Sequence, residues 1–142
     1  MSNFSRFMKQ NKIQKENTTY AATKSLVDKD GNPLLWTIKA ISTRENDIIR
    51  DECTIDVPIP GKMGAYRQKL NTSKYLAKLI CAAVVEPNLN DKELQDSYGV
   101  MTPEDLVKEM IDNPGEYTDF TVFIQNFNGF TTIEEKVEEA KN

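Results

Sequence analysis

The sequence contains no histidine. That removes the commonest general base, proton shuttle and metal ligand at neutral pH. Cysteine is scarce as well: Cys53 and Cys81 are the only two, set in unrelated segments that both look partly buried. They read as small apolar residues kept reduced, not as a disulfide framework. Long apolar runs are also missing. The best candidate, residues 76–85, is interrupted by Lys78 and falls far short of the about 20 residues a bilayer demands. Lys9, Lys12 and Lys15 break up any apolar core of a signal peptide. The expected location is therefore the cytoplasm.

What is present fits a folded chain. With 142 residues, 39% of them hydrophobic and 28% charged, a core can form and disorder is disfavoured. The net charge of -4 argues against a dedicated nucleic-acid binder, but the charge is segregated. Residues 61–85 carry no carboxylate and five cations: Lys62, Arg67, Lys69, Lys74 and Lys78. Residues 86–119 reverse this, with ten carboxylates against Lys92 and Lys108. Two readings stand: solvated helix faces, or complementary surfaces that steer a partner, including this chain's own acidic half.

Pattern and punctuation predict an α+β fold, an N-terminal β-hairpin packed on a mainly helical C-terminal part. Residues 1–18 are polar and basic and read as a flexible arm; residues 19–142 read as one domain. Within the arm, Phe4, Phe7 and Met8 fall at the spacing of one amphipathic turn. Strands are expected over 20–27 and 34–41, joined by the turn formers Asp28, Asp30, Gly31, Asn32 and Pro33, with Trp36 and Ile38 on one face. Ser42 or Thr43 should cap a helix to about Glu52 that carries Ile48 and Ile49 inward. Pro58 and Pro60 force an extended path, and 61–67 reads as a basic loop.

Helices dominate thereafter. One runs from the caps at 71–73 to about Val85, with Leu76, Leu79, Ile80, Ala83 and Val84 as its buried stripe. A short turn over 91–98 is closed by Gly99. Thr102, Pro103, Glu104 and Asp105 form a start signal for the next helix, which faces Leu106, Val107, Met110 and Ile111 inward. After Pro114 and Gly115, the stripe Tyr117, Phe120, Ile124 and Phe127 marks another, stopped at Gly129. A final acidic helix is expected from Thr131 or Thr132, carrying Ile133 and Val137.

The chemical motifs fail on inspection. Aligning Gly31 with the obligatory glycine of a calcium loop puts Leu26 and Thr37 at ligand positions, where neither serves. Gly61 and Lys62 suggest a phosphate loop, but its upstream glycine would be Asp56 and its hydroxyl residue Met63. The carboxylates sit where helix starts favour them. The chain reads as a non-enzyme without metal or cofactor.

Several longer strings carry a resemblance. The string 7–12 (FMKQNK), the string 31–36 (GNPLLW), and 84–91 (VVEPNLND) followed by Glu93-Leu94-Gln95 and Tyr98-Gly99-Val100 resemble the XkdN-like tail assembly chaperones of phages and defective prophage elements. The resemblance runs from about Phe4 to the C-terminus. It implies a chaperone that binds the tape measure protein stoichiometrically before the tail tube polymerises. Its partners would be that protein, other tail proteins and further copies of itself. It also implies a second form extended by frameshifting, for which the terminal Lys141-Asn142 matches one common slippery sequence. The family brings no catalytic residues. Client contacts are expected at the arm, through Phe4, Phe7 and Met8, and at a loop containing Met63 and Tyr66, against the alternatives of a frayed terminus and plain loop packing. The rival functions are a structural tail component, tube or baseplate, and a small nucleic-acid-binding regulator.

Overall fold

The structure, a computed structural model, describes residues 3–130. The expected final helix and Lys141-Asn142 lie outside them. The fold is α+β. A three-stranded antiparallel sheet is built from β1 (Thr18–Tyr20), β2 (Trp36–Ile38) and β5 (Val84–Glu86), in the order β1-β2-β5. A separate two-stranded sheet pairs β3 (Thr54–Pro58) with β4 (Tyr66–Leu70). The helices are α1 (Asn3–Arg6), α2 (Thr43–Glu52), α3 (Thr72–Ala83), α4 (Lys92–Ser97), α5 (Pro103–Met110) and α6 (Pro114–Phe127).

The N-terminal strands pair as a hairpin, but over a shorter ladder than the alternation suggests. Thr18 faces Ile38 and Tyr20 faces Trp36. Beyond Tyr20 the chain leaves the sheet and is tied to α6. The Thr23 hydroxyl and the Lys24 backbone N–H each donate to the Glu116 carboxylate at 2.8 Å. Only an isolated bridge between Val27 and Pro33 remains of the tight end. There the Asp28 side chain accepts from the backbone N–H groups of Asp30 and Asn32, and Gly31 takes the positive φ of 84°. The segment compared with a calcium loop is a turn.

Helix starts follow their caps. Ser42 and Glu45 form a reciprocal capping box at α2. Asn71, Asp91, Thr102 and Asn113 each accept from a backbone N–H in the first turn of α3, α4, α5 and α6. The ends hold more surprises. α3 stops at Ala83, two residues early, because Val84–Glu86 pairs with β2. β-branched valines favour that extended backbone, and the following Glu86–Pro87 peptide is cis. The region expected as a loop over 61–67 becomes a strand from Tyr66 onward, paired with β3 from Thr54↔Leu70 to Pro58↔Tyr66.

Packing adjusts two stripes. In α2, Ile49 is buried while Ile48 is exposed. In α3, Leu79, Ile80 and Ala83 are buried as expected, Leu76 only partly, and Tyr75 enters the core with its hydroxyl donating to Asn46. The core joins all layers: Trp36 and Ile38 from the sheet, Leu79 and Ile80 from α3, Leu106 and Val107 from α5, Phe120 and Ile124 from α6. Trp36 meets Phe120 edge to face at 5.6 Å between ring centroids, and Tyr20 stacks on Phe120 at 5.5 Å. Of the α6 stripe, Tyr117 and Phe127 are partly buried and form its ends. Cys53 is fully buried and Cys81 half-buried; both are free thiols.

Candidate functional site

The arm begins with the single turn of α1, which ends at Arg6 and so includes Phe4 but not Phe7 or Met8. Backbone turns continue it, with Phe7 N–H donating to Phe4 and Met8 N–H to Ser5. A 3-10 turn over Lys9–Asn11 follows, and Met8 itself has an extended backbone. Phe4, Phe7 and Met8 are 75%, 86% and 42% exposed, and Ile13 is exposed beside them. The arm touches the body at Lys15. Its ammonium lies 4.1 Å from the centroid of the Phe127 ring and also donates to the Phe127 carbonyl.

The second expected contact lies at the tip of the β3–β4 hairpin. Met63 is in the connecting turn between Gly61 and Gly64, both at positive φ, and is fully exposed. Tyr66 is the first residue of β4, not part of the loop, and is 63% exposed. Neither is covered by loop packing. The structure thus keeps the arm residues and the hairpin-tip residues as two separate surface features.

A third feature escaped the sequence reading. A cleft of about 520 Å³ opens between the β1-β2-β5 sheet and the helices α4 and α5. Leu26, Leu34, Leu35 and Trp36 line one wall, and Pro87, Leu94, Tyr98 and Met110 the other. Leu34 and Leu35 are exposed at its rim. The strings 31–36 and 84–100, more than forty residues apart in order, supply most of its lining. Two consecutive exposed leucines next to a buried tryptophan were the available signal.

Electrostatics here is structural. Lys78 bridges Glu52 at 3.2 Å and Glu104 at 3.5 Å, the one cation of the basic run paired among the described residues. Its hydrogen bond to Glu52 raises its pKa against the opposing effect of burial. This is the point where the basic run meets the acidic half. Burial pushes the Cys81 thiol up to about 12 and raises that of Cys53, so neither forms a thiolate at neutral pH. Hydrogen bonds from the Lys24 backbone and the Thr23 hydroxyl hold Glu116 below the usual carboxylate range. Among the described residues, no group of three or more His, Cys, Asp or Glu is placed to hold a metal ion, and no helix is long and apolar enough to cross a membrane.

Comparison with known proteins gives the same direction throughout. Residues 4–141 match the family model of the phage XkdN-like tail assembly chaperone protein. The Bacillus subtilis protein YqbN is 30% identical over 134 residues, covering 94% of this chain and 89% of that protein. The phage-like element PBSX protein XkdN of the same organism is 28% identical over 137 residues, covering 96% and 91%. The crystal structure of YqbN superposes with a TM-score of 0.76 and 26% identity, over 92% of this chain and 99% of that one. The chain belongs to the family of XkdN-like phage tail assembly chaperones.

Proposed function

We propose that this chaperone holds the tape measure protein stoichiometrically, in the host cytoplasm, until the tail tube polymerises around it. A long helical client waiting for its tube exposes apolar faces that aggregate unless they are covered. The observation that carries the reading is the set of large apolar side chains left in solvent on a chain of 142 residues. Phe4, Phe7 and Met8 stand on the arm, Met63 and Tyr66 at the hairpin tip, and Leu34 and Leu35 at the cleft rim.

The arm is the primary contact in this proposal, a flexible segment whose aromatic residues lay over a client helix. The hairpin tip is the second contact. The cleft offers a largely apolar seat for a segment of the client, by the helix-in-groove mode. No cofactor enters, and binding is by contact alone. Co-expression with the tape measure protein tests this: the client should become soluble and co-purify with the chaperone. Finished particles should lack the chaperone, whereas its presence in them at fixed stoichiometry would make it a structural tail component.

A further inference from the structure

The cleft and the arm have matching chemistry. The cleft is apolar within and acidic at its rim. Glu86 lines it, and Glu93 and Glu109 stand next in the chain to the lining residues Leu94 and Met110. All three glutamates are exposed, and none is in an ion pair among the described residues. Over 86–112 eight carboxylates face only two cations, Lys92 and Lys108, so a cationic segment is favoured there.

The arm supplies the complement. Residues 1–15 carry Arg6, Lys9, Lys12 and Lys15 and no carboxylate. Arg6, Lys9 and Lys12 form no ion pair among the described residues. Phe4, Phe7 and Met8 stand in solvent at i, i+3 and i+4, the anchor spacing of a helix seated in a groove. α1 has to grow by only about one turn to align them.

Position decides whose arm fits. The cleft lies at the Trp36 end of β2, toward Leu34. The arm enters β1 at the other end, where Thr18 pairs with Ile38. Residues 12–15 line a recess with residues 40–43, still further from Trp36 along the chain, and Lys15 is held there by Phe127. The base of each arm is therefore held at the end of β2 opposite its own cleft.

We propose that the arm of one copy docks in the cleft of a second copy. Phe4, Phe7 and Met8 pack on the apolar walls, and Arg6 and Lys9 meet the rim of Glu86, Glu93 and Glu109. Without a client, this contact covers apolar side chains of both features. That a client displaces it rests on the proposed role in holding the tape measure protein; the association itself does not.

Sedimentation velocity on the full-length chain, without client and over a range of concentrations, tests it. The unsubstituted protein should associate as concentration rises, and raised salt should weaken the association. F4S/F7S/M8S removes the anchors and L35K/E86K blocks the cleft, so each variant alone should stay monomeric. Mixed, the two should pair, since one brings an intact cleft and the other an intact arm, and the pair should stop at a heterodimer. The substituted positions are all exposed, so both variants should fold, with unchanged Ile80 and Phe120 amide signals as the check. E93K/E109K, which alters the rim alone, should weaken the association of an otherwise unchanged cleft. A protein that is monomeric at every concentration would overturn the proposal. So would association untouched by one of the two main sets, or variants that fail to pair when mixed.

Discussion

Lys15 and Phe127 are 112 residues apart in the sequence, yet the ammonium of one caps the ring and carbonyl of the other. This contact joins the arm to the C-terminal end of α6. It fixes where the arm leaves the body.

Lys15→Ala should release the arm without unfolding the protein. An exposed cation–π contact is worth about 0.5–1 kcal/mol, so the global denaturation midpoint should hardly move. Hydrogen exchange of the amides over 9–15 should instead become faster. Lys15→Arg, which keeps a cation over the ring, should retain most of the protection.

Phe120 is the reverse case. It is fully buried between Trp36, Tyr20 and the helices, so Phe120→Ala leaves a cavity where sheet and α6 meet. The expected cost is about 3–5 kcal/mol, read from urea denaturation. A loss below 1 kcal/mol would mean that the sheet does not depend on α6 for cover.

Glu116 makes stability respond to acid. Its folded pKa is lowered, chiefly by the Lys24 backbone N–H and then by the Thr23 hydroxyl. A lowered carboxylate pKa contributes stability above the unfolded value of about 4.3 and loses it as pH falls through the folded value. The stability gap between the unsubstituted protein and Glu116→Gln should therefore be level near neutrality and close in acid. A gap that stayed constant into strong acid would assign the clasp no role in the acid response.

Much of the fold was legible because local signals agreed with tertiary need. The caps at Ser42, Asn71, Asp91 and Thr102 begin their helices as their side chains dictate. Trp36 and Ile38 share the buried face that alternation predicts. The departures arise where a distant partner decides. Val84 and Val85 continue a helical stripe in sequence, but β2 takes them as a strand. Tyr66–Leu70 has no apolar alternation to announce it, and its pairing with β3 makes it a strand. Past Tyr20 the ladder ends, and Thr23 and Lys24 bond instead to Glu116, over ninety residues away. For the candidate site, exposure of Phe4, Phe7 and Met8 was foreseeable from a polar, basic context that offers them no cover. The cleft was not, because its two walls meet only in three dimensions.

The most direct test is quantitative co-purification of the tape measure protein with the unsubstituted chaperone and with F4S/F7S/M8S. These three side chains contribute nothing to the core, so the variant should fold with unchanged stability. The expected result is a soluble complex of fixed stoichiometry with the unsubstituted chain and a largely insoluble client with the variant. Equal recovery of soluble client with both chains would contradict the arm's role, and an insoluble client with both would contradict tape measure binding itself.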